Sequence, residues 1–284
     1  MGQVLSIQSW VAYGHVGNAA ATLPLQRLGF EVWAVHTVQF SNHPGYGLFR
    51  GMRLPPAHLL EVVAGLAEQG VLAKCDALLL GYMGQAGTAQ AVLFALEQLR
   101  AQNPRALFCC DPVMGDEGRL YVEPQVPEAI QRLLPQADLL TPNPFELGLL
   151  SQREVDDLDA ALEAACLLRE QMRPEGPRIV LVSGLRQGEE TETLAVGEEG
   201  AFGVRTPYIP FHPPPNGTGD ALAALFLGHY LREKALVPSL ELAVSALWGL
   251  LWHTHQARSR ELCLVAAQEE YAQPSRRFRA ERRL

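Results

Sequence analysis

Short apolar runs alternate with segments of helical period along most of the chain, and this alternation restricts the fold more than any other feature. Val4–Gln8, Val32–Val38, Ala77–Leu80, Ala106–Cys110, Asp138–Leu140 and Ile179–Val182 read as strands. Gly17–Leu28, Leu59–Ala67, Thr88–Gln102, Phe145–Leu150 and Leu158–Met172 read as helices. Strands joined by helices pair in parallel, and a mainly parallel sheet is covered by helices on both faces. Thr193–Val196 and Gly200–Val204 flank Gly-Glu-Glu-Gly and predict a hairpin. Helices over Thr218–Lys234, Leu240–His255 and Leu262–Tyr271 are expected to close the chain. No repeat, low-complexity tract or long linker divides it, and Pro213-Pro214-Pro215 is too short to be a spacer. An α/β fold in one domain over residues 1–284 is therefore expected.

An open parallel sheet binds ligands beyond the carboxyl ends of its strands. Ser9, Asn42-His43, Gly81-Tyr82, Asp111, Thr141-Pro142-Asn143 and Ser183-Gly184 follow the expected strands and are far more polar than the runs they end. The net charge of −8 argues against nucleic acid or an anionic membrane as the main partner. Five cysteines without a C-x-x-C pair suggest neither a disulfide framework nor a zinc site, so a reducing cytoplasmic location is expected. The first residues read as a strand rather than a signal peptide, and no apolar stretch reads as a membrane span. Arg276, Arg277, Arg279, Arg282 and Arg283 crowd the C-terminus and read as a solvated or frayed tail.

Asn216-Gly217-Thr218-Gly219-Asp220 places a glycine-flanked turn and an acid before the apolar helical run Ala221–Leu227. The first turn of such a helix carries main-chain N–H groups that attract anions. An acid there makes sense as a proton acceptor beside amides that hold developing negative charge. Capping of the helix by Thr218 or Asp220 accounts for the same residues equally well. Asp111-Pro112-Val113-Met114-Gly115-Asp116 and Thr141-Pro142-Asn143-Pro144-Phe145-Glu146 each end a strand with acids close by. Together with the helix start they suggest a hard cation, Mg²⁺, sharing water and phosphate oxygens. Taken singly, Asp111 also reads as a turn residue and Glu146 as an ordinary first-turn acid.

With these motifs in order, the chain resembles the ribokinase superfamily and, within it, the pyridoxal kinases. The resemblance runs nearly end to end. It is carried by Ile7-Gln8-Ser9, Tyr13-Gly14-His15-Val16-Gly17-Asn18, Thr37-Val38-Gln39-Phe40-Ser41-Asn42-His43, Gly81-Tyr82 and the three acidic motifs above. The Val38–His43 run is the most specific part. The resemblance implies a ribokinase-like three-layer fold and transfer of the γ-phosphoryl group of ATP to the 5′-hydroxymethyl of a B6 vitamer. It makes Asp220 the base, with the amides of Gly217, Thr218 and Gly219 holding charge on the transferring group. Ser9, Val16, His43 and Tyr82 would meet the vitamer, Tyr82 by stacking. Half-buried packing for Tyr82 and a satisfied turn for His43 remain open alternatives. Asp111, Asn143, Glu146, Ser183 and Tyr121 would serve ATP, with Tyr121 after a flap at Gly115–Leu120. Asp111, Thr141 and Glu146 would serve Mg²⁺, partly through water. The resemblance also implies a homodimer and leaves open a monovalent cation such as K⁺.

Two departures bear on substrate preference. Proline stands at position 44, where many relatives have threonine, which removes a hydroxyl and an N–H near the vitamer. The approach to Asn216, Phe211-His212-Pro213-Pro214-Pro215, is stiffer than the family pattern. A hydroxymethylpyrimidine kinase shares the Asp220 motif but is disfavoured by Gln39–His43. A non-catalytic B6-binding protein is disfavoured by Asp220 with both glycines.

Overall fold

The computed structural model describes residues 2–284, and a ten-stranded sheet organises them. In chain order its first elements are β1 (Gly2–Tyr13), α1 (Asn18–Arg27), β2 (Phe30–Asn42), β3 (Gly51–Arg53), α2 (Pro56–Glu68), β4 (Ala77–Leu80), α3 (Thr88–Gln102) and β5 (Leu107–Cys110). A small hairpin, β6 (Gly115–Asp116) and β7 (Arg119–Leu120), precedes α4 (Val126–Gln131), β8 (Leu139–Leu140), α5 (Pro144–Ser151) and α6 (Leu158–Gln171). The rest comprises β9 (Ile179–Gln187), β10 (Glu190–Gly197), β11 (Gly200–Pro207), α7 (Thr218–Glu233), α8 (Leu236–Gln256), α9 (Glu269–Ala272) and β12 (Ala280–Arg282).

The sheet order is β12-β11-β10-β9-β8-β5-β4-β1-β2-β3. Its six central strands, β2, β1, β4, β5, β8 and β9, run parallel, and antiparallel strands flank them on both sides. Alternate side chains of the parallel strands enter two separate cores, as the two-residue period of a strand requires. Leu5, Ile7, Leu78, Leu80, Phe108 and Cys110 pack with α2 to α6. Val4, Ala77, Leu79 and Cys109 pack with α1, α7 and α8 on the other face. Helix α7 is apolar all round its first turns because it is enclosed, with Ala221 to Leu227 all buried. The chain turns from β2 on one side of β1 to β4 on the other, a switch in strand order that opens a crevice above the strand ends. Beyond Ile7, β1 loses β4 as a partner and pairs with β2 alone. The distal halves of β1 and β2, with β3, therefore rise past the sheet as a flange beside that crevice.

Three expectations need correction. Leu262–Tyr271 is not a helix; only Glu269–Ala272 is helical there. Leu262, Leu264, Ala267 and Tyr271 are all buried, but 262 and 264 lie about 200° apart on an α-helix, so one helical face cannot bury both. The chain instead runs in turns, fixed by Cys263 N–H donating to Thr254 Oγ1 (3.0 Å) and the Tyr271 hydroxyl donating to the Leu264 carbonyl (2.7 Å). The arginine-rich end is not frayed. Ala280–Arg282 adds an antiparallel edge strand to β11, and Arg283 Nε reaches the fully buried Glu192 carboxylate at 2.7 Å. Finally, α8 begins a turn earlier than expected and is long and apolar enough to cross a membrane by length and composition alone. In the fold it packs through Leu240, Ala243, Val244 and Leu250 against the second core.

His229 in α7 makes acid stability testable. It is buried, Nε2 lies 2.9 Å from the Tyr271 carbonyl, and desolvation lowers its pKa from 6.5 to about 4. A base with a depressed folded pKa contributes stability that is present above the unfolded value and lost as pH falls toward the folded one. The loss between about pH 6.5 and 4 is on the order of 3 kcal/mol. The drop in Tm between about pH 7 and 5 should therefore be smaller in His229→Gln than in the wild type, by thermal denaturation at both pH values. Equal drops would remove His229 from the acid response.

Candidate active site

A cavity of about 1270 Å³ lies above the strand ends and is lined by every residue given a vitamer, phosphoryl, nucleotide or Mg²⁺ role above, though not by Asn42, Gly81 or Pro142. That is larger than the few hundred to roughly a thousand Å³ of a pocket for one small ligand, so two substrates can share it. Each wall is supplied by a different crossover. Ser9 lies where the β1–β2 register shifts between Gln8 and Trp10. Gly17 packs directly on it: a Cβ there would fall 2.3 Å from Ser9 O and Oγ, so any side chain would displace Ser9. Val16 joins Val11, Val38 and Phe40 in a small apolar cluster, and Tyr82 packs half-buried against it. The packing alternative for Tyr82 thus holds together with its place in the cavity wall.

His43 is likewise a satisfied turn histidine that also lines the cavity. Its Nδ1 accepts the Gly45 N–H (3.2 Å), which leaves the ring proton on Nε2, and burial lowers its pKa. The ring is a neutral donor near pH 7.

At the start of α7 the capping alternative is not the one realised. Gly217 is the N-cap residue, at φ +86°, and no side chain caps the helix. Among the described residues the N–H groups of Gly217, Thr218 and Gly219 have no acceptor, so the turn presents unpaired donors to the cavity. A Cβ at Gly217 would sit 1.9 Å from the His15 carbonyl, whereas one at Gly219 would meet nothing within 4 Å. The first glycine is demanded by the fold and the second leaves open space in front of the amides. Asp220 stands in that first turn with its pKa raised by desolvation, while the Gly17 amide pulls it back.

At α5 the structural alternative is the one realised. Asn143 and Glu146 form a reciprocal capping box: Glu146 N–H donates to Asn143 Oδ1 (2.9 Å) and Asn143 N–H to Glu146 Oε2 (3.0 Å). Glu146 Oε1 accepts the Met114 N–H (2.9 Å), and Asn143 Nδ2 donates to the Gly115 carbonyl (2.8 Å), so the pair also holds the base of the β6–β7 hairpin. Tyr121 follows that hairpin, 55% exposed at the cavity rim. Asp111 is buried and takes the Thr141 hydroxyl hydrogen on Oδ1 (2.8 Å). Burial, then Glu146 and Asp220, push its pKa well up; burial raises Glu146 to about 7. These carboxylates are short of positive charge. The cavity holds six acids, Asp111, Asp116, Glu117, Glu146, Glu154 and Asp220, against one arginine, Arg153, and no lysine. A hard divalent cation placed here would relieve the mutual repulsion of Asp111 and Glu146. Both Glu146 oxygens already accept main-chain N–H groups, so Glu146 suits a water-mediated place and Asp111 a closer one.

Ser183, in β9, completes the far wall; its N–H donates to the Pro142 carbonyl (3.2 Å). The cavity also takes in Pro44, Gly45 and Arg153, which the motifs did not single out. Proline at 44 carried the only signal among them, as a departure from the family pattern.

The chain matches the phosphomethylpyrimidine kinase family profile over residues 60–261. It is 53% identical to the pyridoxal kinase PdxY of Deinococcus radiodurans over 98% of this chain and 96% of that one. The chain belongs to the pyridoxal kinase family. A second family member, PdxY of Rubrobacter xylanophilus, is 51% identical over 97% of this chain and 95% of its own length. Among solved pyridoxal kinases, that of Leishmania donovani in complex with ADP and pyridoxamine superposes with a TM-score of 0.91 at 32% identity, covering 99% of both chains. The mainly parallel sheet expected from the strand and helix pattern, and the ribokinase-like three-layer fold implied by the resemblance, are the fold of the family.

Proposed function

We propose that this chain transfers the γ-phosphoryl group of ATP to the 5′-hydroxymethyl of pyridoxal, and of related B6 vitamers, releasing ADP and the 5′-phosphate. The observation that carries the reading is the uncapped start of α7 beside Asp220, in a cavity large enough for both substrates. The family relationship supplies the acceptor. Asp220 takes the hydroxyl proton as the oxygen attacks phosphorus, and its raised pKa brings its basicity closer to neutral pH. The amides of Gly217, Thr218 and Gly219 receive charge on the transferring phosphoryl group. Ser9, Val16, His43 and Tyr82 orient the vitamer ring. Asn143, Ser183 and Tyr121 belong to the nucleotide side, Tyr121 on the hairpin that covers it. Asp111 and Thr141 would hold Mg²⁺, with Glu146 reached through water; such an ion would supply charge neutralisation at the phosphates. A monovalent cation such as K⁺ suits the same excess of carboxylates.

The protein works in the cytoplasm as a homodimer on this reading. Tyr13, Leu48, Phe49 and Met52 are large and exposed on or beside the flange of β1, β2 and β3, surface of the kind a second copy covers. Sedimentation as a monomer at assay concentration would remove that part. The decisive assay follows phosphorylated product from pyridoxal, pyridoxine, pyridoxamine and hydroxymethylpyrimidine with ATP, with Mg²⁺ or with chelator. Product from pyridoxal that vanishes with chelator is expected; turnover of hydroxymethylpyrimidine alone would overturn the acceptor.

A further inference from the structure

One carboxylate, outside the cavity and outside every motif above, joins three segments at the acceptor end. Glu261 Oε2 accepts the His15 N–H at 2.8 Å, and Oε1 takes the hydrogen of the Tyr46 hydroxyl. The carboxylate fills the space beside Gly14, where a Cβ would fall 2.7 Å from Oε2. Arg260 reinforces the contact: its guanidinium lies 3.8 Å above the Tyr46 ring and donates to the Gly45 carbonyl at 3.4 Å. Glu261 is itself fixed, its N–H donating to Ser259 Oγ (3.1 Å) while that hydroxyl donates to the Glu261 carbonyl (2.6 Å). Its side chain is only 13% exposed.

These segments matter to the site through their neighbours. His15 leads into Val16 and Gly17, and its carbonyl lies against Gly217 so closely that no side chain fits between. Tyr46 ends the short turn Pro44–Tyr46 that follows His43, and His43, Pro44 and Gly45 all line the cavity. The nucleotide-side groups Asp111, Asn143, Glu146 and Ser183 make no hydrogen bond to Glu261 among the described residues. One partly buried acceptor thus ties the vitamer wall to the β1–α1 turn, and that turn to the start of α7.

We propose that Glu261 is a positioning residue for the acceptor alcohol, holding the His43–Gly45 wall through Tyr46 and the Val16 wall through His15. The proposal rests on the kinase reading above. It makes Glu261 a determinant of how well the vitamer is held, with no direct hydrogen bond to the nucleotide-side residues. A staple that served stability alone would lower Tm and affect both substrates alike.

The test is initial-rate kinetics on the wild type, Glu261→Ala, Glu261→Gln, Tyr46→Phe and the Tyr46→Phe/Glu261→Ala double variant. Pyridoxal is varied at saturating Mg·ATP, then ATP at saturating pyridoxal. Glu261→Ala should raise the KM for pyridoxal by about tenfold or more, the scale of a lost hydrogen bond to a charged group, with the KM for ATP within about twofold. Glu261→Gln keeps an oxygen for the His15 amide and should recover part of the loss. Tyr46→Phe should raise the pyridoxal KM alone, and should add less than about twofold on the alanine background because both changes break one contact. Equal changes in both KM values, no change in either, or fully multiplicative effects would overturn the proposal. Should Glu261→Ala fail to fold, Tyr46→Phe still decides it by the same KM split. Absence of pyridoxal turnover in the wild type would instead sink the kinase reading, so the two failures are distinguishable.

Discussion

Asp220→Asn should lower kcat by about 10²–10⁴, the range for removal of a general base, with the KM values for ATP and pyridoxal nearly unchanged. The amide preserves shape and cannot accept the hydroxyl proton. Stability should move the other way. The folded-state pKa of Asp220 is raised, chiefly by desolvation. A raised carboxylate favours the fold below its unfolded pKa and loses that contribution as pH rises, so at neutral pH the charge opposes folding. The variant should therefore melt no lower than the wild type, and a gain in Tm with a collapse in kcat is the expected pair of results. Asparagine with more than about a tenth of wild-type kcat would mean that Asp220 takes no proton in the rate-limiting step.

Asp138→Ala should destabilise the protein by about 3–5 kcal/mol while leaving kcat intact, because it breaks a buried ion pair at the end of the sheet remote from the site. Asp138 is fully buried just before β8. Its Oδ2 accepts from the Phe108 N–H (2.7 Å) and from Arg100 (3.0 Å), and its Oδ1 from Arg173 Nε (2.8 Å). Gly176 packs so closely that a Cβ there would lie 1.8 Å from Oδ1. Removing the acid leaves two largely buried guanidinium groups and a strand amide without their acceptor. At roughly 2 °C per kcal/mol for a chain of this size, Tm should fall by about 6–10 °C. Asp138→Asn, which keeps one acceptor oxygen, should fall less. A Tm within about a degree of wild type would show that the arginines find other partners.

The sequence was most readable where burial on both faces left no choice of residue. Ala77–Leu80 and Thr88–Gln102 appear with the bounds read from the pattern, since one is an unbroken apolar run and the other has a single helical period. The site was readable for a related reason: polar residues at the ends of apolar strands have few structural uses. What stayed hidden depends on contacts distant in sequence. The turns at Leu262–Tyr271 mimic helical spacing while being held by Thr254, and the C-terminal arginines look solvated until Glu192 and Glu241 are placed beside them. Glu261 is a further case, an acid in a polar stretch whose partners lie 215 and 246 residues away. Glu146 caps a helix and lines the cavity at once: Oε2 closes the capping box and Oε1 takes the Met114 N–H.

The scarcity of lysine has a consequence of its own. Pyridoxal and its 5′-phosphate, the acceptor and product proposed here, are aldehydes, and aldehydes condense with free primary amines to give imines and water. Of the 23 lysine and arginine residues in the chain, two are lysines, Lys74 and Lys234; both are exposed and neither borders the cavity. The arginine that does border it, Arg153, is a guanidinium that stays protonated at neutral pH and is a poor nucleophile. Among the described residues the chamber therefore offers its reactive product nothing to condense with. The phosphorylated aldehyde is held there by reversible contacts alone and leaves with its carbonyl free for the amine of whatever protein receives it.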